Sequence, residues 1–451
     1  MRRISLLLAA VLLCTLASAQ DSKTNLFGGN KFAIKVEPFH GSYTNHSYHF
    51  EKFRPFSPKG VNLGLELPSS QQRPWQQYLG NPTWGVGLSI IDFGHPMTGE
   101  AVSMYPYLLI PVVRSNHFGL NFKLAAGLGF VTEHWYTGDV DPDNYEYKTP
   151  DVNSIFGCYL NAYLSAAVNM SVPITKNIAL NGEAGYFHMS NGRTCMPNLG
   201  ADILFAGVGV ITTFNAQANK EPIQFPDLPY KWALNVTGAA GAHRAWMYYP
   251  LYLISSFHAG AVYSVNNWYG VGLGLDVFYN GAVNKNTGRD LYCSGELEFT
   301  DDSGEPYILP CNTCEGEYGV KDKIRAGISL NNEFRFGLVT AMVDWGIYFY
   351  NPSRNHYYNW HEENYEKGGA GKRPLFYKAI GGAGSEEAFH YIRFGMKYRI
   401  WDNLYLQTSA KTHLHICEYI EFGVGYQIPF LKKGVRQGNS AIFHHKKNWW
   451  K

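Results

Sequence analysis

Two residues of this sequence, His188 and Ser190, have the types and the spacing that nucleophilic chemistry needs. On a β-strand, side chains at i and i+2 project from the same face, with Cβ atoms roughly 6.5–7 Å apart because each residue advances the strand by about 3.3 Å. An imidazole at that distance reaches a serine hydroxyl and can take its proton. A serine needs such a base because its own hydroxyl is a weak nucleophile. The pair therefore predicts acyl transfer through Ser190, with His188 as the general base.

A catalytic triad also needs a group that holds the imidazole by its other nitrogen. Asp202 is the candidate, because it begins the next strand of the same hairpin and shares a face with the apolar Leu204 and Val208. The negative charge that develops on a substrate oxygen needs hydrogen-bond donors. The candidate donors are the backbone N–H groups around Gly192 and Arg193 and the side chains of Asn198 or Asn191.

The elements that carry these residues are predicted to be strands of an all-β transmembrane antiparallel barrel. The chain has 32 Tyr, 27 Phe, 11 Trp and 47 Gly among 451 residues, and only 16% of its residues are charged. Many aromatic residues with few charges suit strands that cross lipid between aromatic girdles. Beyond position 20 no run of 18 apolar residues occurs, which excludes a membrane-spanning helix. The formal net charge of +2 gives no sign of nucleic-acid binding.

About sixteen strands are expected, eight before a Pro-containing linker at 216–228 and eight after it. The two halves are distantly alike, since 174–180 resembles 400–406. The sequence leaves open whether the halves close into one wide barrel or two small ones. Short and long connections alternate, so a periplasmic N-terminus makes the short turns periplasmic and the long polar loops extracellular. Short turns are expected at 114–117, 173–176, 266–267, near 337 and at 401–403, and long loops at 132–154, 282–321 and 351–386. The connection at 68–81 is longer than a periplasmic turn should be.

Strand parity predicts which side of the barrel His188 and Ser190 face. Along the seventh strand the even positions from Ile178 onward are mostly apolar, whereas the odd positions include Asn181 and Glu183. The apolar face of a transmembrane strand looks at lipid, so His188 and Ser190 are expected on the lipid side near the extracellular rim, and Glu183 inside the barrel. Polar groups that face lipid are costly because water cannot satisfy them there. Chemistry on a lipid substrate would explain their position.

The N-terminus predicts export to the outer membrane. Arg2 and Arg3 precede an apolar run that ends in the small residues 17–19, which is the pattern of a cleaved signal peptide. The expected organisation is a signal peptide at 1–19, a first barrel half at 20–215, the linker at 216–228, a second half at 229–430 and a basic aromatic tail at 431–451.

The cysteines of an exported protein predict disulfides before metal sites. Six follow the N-terminal segment: Cys158, Cys195, Cys293, Cys311, Cys314 and Cys417. Cys311 and Cys314 have metal-ligand spacing, but no second pair follows, so a loop disulfide with Cys293 is favoured over zinc. Cys195 could pair with Cys158. The acidic series at 139–143 lacks the glutamate that completes a calcium loop and is interpreted as solvated, so no metal is expected.

The segment around the His-Ser pair resembles a known family. His188-x-Ser190-Asn-Gly is followed by Pro-Asn-x-Gly and by an acidic residue fourteen positions after the histidine. This pattern is similar to that of the outer-membrane lipid A 3-O-deacylases, also known as acyloxyacyl hydrolases. The resemblance implies a triad of His188, Ser190 and Asp202 on the outer face of an eight-stranded barrel, with Asn198 in the oxyanion hole. The family has glutamate where Asp202 stands and often glycine where Arg193 stands.

These predictions favour an outer-membrane serine esterase that removes a 3-O-linked acyl chain from the lipid A of lipopolysaccharide, without a cofactor. The alternative is a non-enzymatic porin or structural barrel, in which sixteen strands line a polar channel and the motif is a relic. A soluble secreted esterase would need a second layer of structure over the apolar face. The lipid-side position of His188 and Ser190 distinguishes the esterase from the channel, because a channel does not require these residues to face lipid. The second half lacks the motif, and its His413 and His415 are interpreted as degenerate or structural.

Overall fold

The computed structural model of this chain describes residues 31–44, 53, 55–69, 73–115, 117–135, 153–214, 228, 230–244, 251–282, 297–300, 306–309, 320–352, 389–413 and 416–431. Almost all regular structure in these residues is β-strand, in two closed antiparallel barrels of eight strands each. The all-β transmembrane barrel class predicted from the sequence is confirmed, and the halves close as two small barrels. Within the described ranges, no helix has the length and apolar character needed to cross a bilayer.

The first barrel contains eight strands in chain order. They are β1 (Phe32–Tyr43), β2 (Lys59–Pro68), β3 (Thr83–Asp92), β4 (Glu100–Arg114), β5 (Gly119–Val131), β6 (Leu160–Pro173), β7 (Ile178–Ser190) and β8 (Ala201–Phe214). Each strand pairs with the next, and β8 returns to β1 in a register that runs from Phe32 opposite Phe214 to Tyr43 opposite Ile203. Closure leaves no strand edge unpaired, which a barrel in lipid requires.

The second barrel is built in the same way. Its strands are β9 (Tyr230–Arg244), β10 (Leu251–Ser264), β11 (Tyr269–Asn280), β14 (Ile324–Phe336), β15 (Val339–Tyr350), β16 (His390–Arg399), β17 (Leu404–His413) and β18 (Ile416–Leu431), and β18 closes on β9. The connection from β11 to β14 contains a separate two-stranded hairpin, β12 (Leu297–Thr300) with β13 (Pro306–Leu309), and a 3₁₀ helix, Val320–Lys323. The expectation of about sixteen strands therefore holds for the barrels, because the hairpin lies outside them.

The interior of the first barrel is filled by charged and polar side chains that are paired. Glu183 lies between two lysines, with Lys35 Nζ at 2.7 Å and Lys123 Nζ at 2.6 Å from its carboxylate. All three side chains are almost fully buried. Buried charges are stable only when paired, because they have lost the solvation of water. The prediction that Glu183 lies inside the barrel is confirmed.

The second barrel is also filled, by three groups of ion pairs. Arg393 joins Asp276 and Asp344 at 2.9 Å each. Glu333 pairs with Lys397 at 2.6 Å. Glu418 pairs with Arg325 and Lys411, and Glu418 Oε2 lies 3.7 Å from the buried Nε2 of His413. The hypothesis that sixteen strands line one polar channel is wrong, because each barrel of eight strands is only wide enough to be filled by its own side chains.

The short turns occur where the sequence predicts them, with one explained exception. The pairs β4–β5, β6–β7, β10–β11, β14–β15 and β16–β17 are joined by two to four residues each. The longer connection after β2 contains a short helix, α1 (Pro74–Tyr78). Its Trp75 packs against Phe336 and its Tyr78 against Trp268, with ring centroids 5.4 Å and 6.2 Å apart. Phe336 and Trp268 lie at turns of the second barrel. The extra residues between β2 and β3 therefore form a contact between the two barrels.

Several sequence predictions fall outside the described residues. These are the signal peptide at 1–19, nearly all of the linker at 216–228, the tail from 432 onward, the acidic series at 139–143, and Cys293, Cys311, Cys314 and His415.

Candidate active site

The candidate active site lies on the hairpin of β7 and β8. His188 of β7 pairs directly with Asp202 of β8, and Ser190 ends β7. Opposed residues of an antiparallel pair have Cβ atoms about 4.5–5.5 Å apart, so the short aspartate side chain is long enough to reach the ring. His188 Nδ1 lies 2.6 Å from Asp202 Oδ1, and His188 Nε2 lies 2.7 Å from Ser190 Oγ. The three side chains form one continuous hydrogen-bonded chain.

The direction of these hydrogen bonds follows from the chemistry of the groups. A carboxylate only accepts, so the proton of a neutral imidazole belongs on Nδ1, which donates to Asp202. Nε2 then carries a lone pair and accepts the Ser190 hydroxyl. This is the tautomer in which a histidine can take a proton from a serine.

The site faces outward from the barrel. On β7 the neighbours Phe187 and Met189 are fully buried in the interior, whereas Tyr186 is 36% exposed on the outer surface. The side chains of His188 and Asp202 keep 24% and 19% of their surface exposed. The alternation predicted from the sequence therefore agrees with the structure, and the His-Ser pair belongs to the row that continues into apolar, exposed residues. A molecule would approach the site from the lipid side.

The site loop, residues 191–200, folds on its own hydrogen bonds. Asn198 Oδ1 accepts from Asn191 N at 3.0 Å. Asn191 Oδ1 accepts from Cys195 N at 3.2 Å, and the Asn191 carbonyl accepts from Thr194 Oγ1 at 3.0 Å. The side chain of Asn191 is thus turned into the loop and buried, which does not match the expectation that it donates to a substrate. Asn198 fits its expected role better, because its oxygen is held by Asn191 and its Nδ2 is the end left to donate.

Two consecutive residues of the site loop have left-handed backbone conformations. Gly192 has φ 61° and Arg193 has φ 63°. This region is open to glycine and unfavourable for other residues. The left-handed backbone at position 193 explains why the family that the motif resembles often has glycine where this chain has Arg193. These two residues carry the backbone N–H groups that the sequence analysis predicts as oxyanion donors, and they follow Ser190 and Asn191 directly in the chain.

Gly200 lies directly against the imidazole of His188. Its φ is 74°, and a Cβ at this position would lie 2.8 Å from His188 Cε1 and 3.1 Å from Ser190 Cβ. Both distances are shorter than ordinary van der Waals contacts. The sequence contains this glycine in Pro-Asn-x-Gly, but its contact with the ring becomes visible only in three dimensions.

Tyr186 is a site residue that the sequence analysis missed. Its hydroxyl donates to Asp202 Oδ1, the same oxygen that accepts from His188. The available signal was its position two residues before His188 on the same face. In the sequence it belongs to the mostly apolar row of even positions that faces lipid, where a tyrosine is ordinary.

Residues 153–155, which belong to the connection between β5 and β6, hydrogen-bond the end of the site loop. Leu199 N donates to Ser154 O at 3.2 Å, and Gly200 N donates to Ile155 O at 3.1 Å. The segment is itself held by Asn153, whose Oδ1 accepts from Ile155 N at 3.1 Å. Ile155 is fully buried. The end of the site loop is therefore anchored to a packed part of the first barrel.

Comparisons with known proteins agree with this arrangement. A family model described as lipid A 3-O-deacylase (PagL) matches residues 59–210, which include the whole site. A second model, described as the acyloxyacyl hydrolase C-terminal domain, matches 230–362 and 377–431. No curated protein sequence matches the chain.

Two similar solved structures are distant in sequence. The crystal structure of the outer membrane enzyme PagL is 14% identical, covering 39% of this chain and 97% of its own, at a TM-score of 0.25. Neisserial surface protein A is 11% identical, covering 41% of this chain and 96% of its own, at a TM-score of 0.24. From the two family models, one on each barrel, the chain belongs to the lipid A 3-O-deacylase and acyloxyacyl hydrolase family.

Proposed function

We propose that this protein is an outer-membrane serine esterase that removes the ester-linked 3-O acyl chain from the lipid A of lipopolysaccharide. The observation that carries the proposal is the hydrogen-bonded chain from Asp202 through His188 to Ser190 on the lipid-facing side of the barrel. The family match on the first barrel supports the choice of lipid A as substrate.

The reaction follows from the geometry of the site. Ser190 Oγ attacks the ester carbonyl carbon while His188 Nε2 takes its proton. Asp202 stabilises the imidazolium that forms, because its carboxylate already holds Nδ1 at 2.6 Å. The C–O bond to the sugar then breaks, the sugar oxygen takes the proton from His188, and the acyl chain stays on Ser190. Water, activated by the same imidazole, releases a 3-hydroxy fatty acid and restores the serine.

The site loop is the source of donors for the oxyanion. We assign this role to the N–H groups of Gly192 and Arg193 and to Asn198 Nδ2. Donors that are held in place before the reaction stabilise the developing charge without reorganising. Asn191 holds Asn198 in position through its backbone N–H, so it acts on the oxyanion hole through that residue. No step of this scheme requires a cofactor.

Outward placement of the site suits a substrate that lies in the bilayer. An acyl ester of lipid A lies near the junction of the sugar headgroup and the hydrocarbon. His188 and Ser190 lie at the end of β7 next to the site loop, where such an ester can reach them. A soluble ester would need to approach through lipid, so lipid-embedded esters are the class of substrate that the site favours.

Mass spectrometry of lipid A tests the proposal. Cells that express the parent chain are expected to contain lipid A lighter by one 3-hydroxyacyl chain. Ser190→Ala and His188→Ala are expected to insert in the membrane as the parent does and to leave lipid A intact. Ser89→Ala is the matched control, because Ser89 is a fully buried serine inside the same barrel. Deacylation by Ser190→Ala equal to that of the parent would refute the proposed nucleophile.

A further inference from the structure

The outer row of β18 shows where the second barrel meets the site loop. Phe422 and Val424 in this row expose 68% and 52% of their surface. Ile420, the next outward residue toward the loop, is only partly exposed. Gly192 covers it, since a Cβ on Gly192 would lie 2.7 Å from both Cδ1 and Cγ1 of Ile420. Gly192 is itself buried although it belongs to a loop at the barrel rim.

A backbone hydrogen bond joins the two barrels at the same place. Arg244, the last residue of β9, donates its N–H to the Arg193 carbonyl at 2.9 Å. Since β9 and β18 pair with each other to close the second barrel, both contacts come from one continuous sheet. The sheet thus contacts both Gly192 and Arg193, the two residues with a left-handed backbone.

We infer that the second barrel positions the site loop for catalysis through Ile420 and the Arg244 N–H, so that the active site is complete only with both barrels. The inference rests on the proposed function. Gly192 and Arg193 supply oxyanion donors, and Arg193 holds a backbone conformation that its side chain disfavours. External contacts that fix these two residues therefore preserve the donor geometry, for which a displacement of about 1 Å can lower a rate about 100-fold. Ile420 and Arg244 act as positioning residues.

A double-mutant cycle between the barrels tests the contact through activity. Gly192→Ala is expected to lower kcat on lipid A by at least about tenfold with a smaller change in KM, for two reasons. A φ of 61° is unfavourable for alanine, and the methyl group meets Ile420, whose β-branched side chain cannot rotate freely away. Only the second contribution depends on Ile420. Ile420→Ala opens space for that methyl group. The factor by which Gly192→Ala lowers kcat should therefore be several-fold smaller in the Ile420→Ala background.

The controls of this cycle are chosen on the same strand. Val424→Ala removes the same kind of surface from the same outward row, but away from the loop. It should leave kcat unchanged on its own and should not alter the factor by which Gly192→Ala lowers kcat. Ile420→Val should behave nearly as the parent does. Strictly multiplicative effects of Gly192→Ala and Ile420→Ala on kcat would overturn the inference.

A second readout does not depend on lipid A hydrolysis. Arg244 lies close enough to Cys195 of the site loop for its guanidinium to lower the pKa of that thiol. In the reduced protein, Arg244→Gln should shift the pH midpoint of Cys195 alkylation to higher pH, measured at the peptide level. Lys231→Gln, at the opposite end of β9, should not. An unmoved midpoint in Arg244→Gln would refute the position of Arg244 beside the site loop, on which the backbone contact depends. A parent chain without deacylase activity, by contrast, would refute the proposed function and leave this titration as the test of the contact.

A separate observation concerns two thiols beside the site. Cys158 precedes β6, Cys195 lies in the site loop, and their thiols hydrogen-bond each other. Their backbones are also packed together, because a Cβ on Gly157 would lie 3.0 Å from the Cys195 carbonyl carbon. The hydrogen bond from Gly200 N to Ile155 O holds the same two segments side by side.

We propose that Cys158 and Cys195 form a disulfide that fastens the site loop to the β5–β6 connection. Disulfides are typical of chains outside the cytoplasm. Each thiol loses its hydrogen and the two sulfurs bond, while the disulfide of a thiol–disulfide oxidoreductase is reduced to a dithiol. One cysteine attacks the oxidoreductase disulfide as a thiolate, and the other, which lies beside it, then displaces the oxidoreductase thiol from the mixed disulfide.

Peptide mapping tests the disulfide. Protein purified without reductant is denatured, blocked with N-ethylmaleimide and digested. The peptides of Cys158 and Cys195 are expected to be linked and to take up a label only after reduction, whereas Cys417 serves as the control thiol that is blocked at once. Direct blocking of Cys158 and Cys195 after incubation with glutathione disulfide would refute the proposal, as would a bond between Cys195 and Cys417.

Discussion

The Tyr186 hydroxyl donates to Asp202 Oδ1, the carboxylate oxygen that also accepts from His188 Nδ1. One oxygen thus carries both contacts, and Tyr186 limits rotation of the carboxylate about its own axis. The tyrosine lies on the same outward row as His188 and is 36% exposed. It acts on the imidazole through Asp202.

Tyr186→Phe is expected to lower kcat by roughly two- to twelvefold, since a typical intramolecular hydrogen bond contributes about 0.5–1.5 kcal/mol. KM should change little, because the ring and its apolar surface remain. Steady-state hydrolysis of lipid A in mixed micelles measures both constants. Tyr269→Phe, which removes a hydroxyl that donates to Asn332 Oδ1 at 2.9 Å in the second barrel, should match the parent. Equal kcat in Tyr186→Phe and parent would show that the carboxylate is held without the tyrosine.

Substitutions of Asp202 test whether aspartate fits this position of the triad better than the longer glutamate. Because Asp202 is directly opposite His188 in the ladder, an extra methylene would push the carboxylate past the ring nitrogen. Asp202→Glu should therefore lose activity although it restores the residue type of the related family. Asp202→Asn should lose about 10²- to 10⁴-fold in kcat, because an amide favours the wrong imidazole tautomer. Activity is expected to fall from parent to Glu and then to Asn and Ala, and full activity of Asp202→Ala would remove this residue from the triad.

The alternation of side chains along single strands made much of the candidate site predictable from the sequence. The outward position of His188 and Ser190 and the inward position of Glu183 both follow from strict alternation along β7, which the sequence contains. The number of barrels was not predictable, because the choice between β8 pairing with β1 or with β9 depends on contacts far apart in the chain. Apolar, outward-facing rows look the same in either case. Contacts such as Ile420 on Gly192 depend in addition on the relative position of two barrels.

Gly200→Ala should inactivate the enzyme without unfolding it. The added methyl group would lie 2.8 Å from His188 Cε1, and φ of 74° is unfavourable for alanine. The imidazole must shift, and a shift of about 1 Å costs at least about 100-fold in kcat. Gly182→Ala on β7, the strand that carries His188, is the matched control, because the nearest atom to its new Cβ lies 4.0 Å away. Gly200→Ala with parental kcat would show that the ring has room to move.

The two thiols beside the site should ionise in a fixed order in the reduced protein. The hydrogen bond from Cys158 holds the pKa of Cys195 at about 6, against the opposing effect of burial. The hydrogen bond to Cys195, together with burial, raises the pKa of Cys158. Only the thiolate reacts with iodoacetamide, so Cys195 labelling should rise through about pH 6 while Cys158 stays protonated. In Cys195→Ser, Cys158 should become labelled at lower pH than in the parent. Earlier labelling of Cys158 than of Cys195 in the parent would reverse the assignment.

Glu183 is expected to matter for stability and not for chemistry. Its carboxylate compensates two buried ammonium groups, Lys35 and Lys123, at 2.7 Å and 2.6 Å. Glu183→Gln leaves both cations without their shared partner, so the free energy of unfolding should fall by roughly 3–5 kcal/mol. Urea unfolding in detergent, followed by the electrophoretic shift of the folded barrel, measures the loss. Glu100→Gln, an exposed acid at the start of β4, should unfold as the parent does. Folded Glu183→Gln should keep parental kcat, and a loss of kcat at unchanged stability would instead assign Glu183 to the reaction.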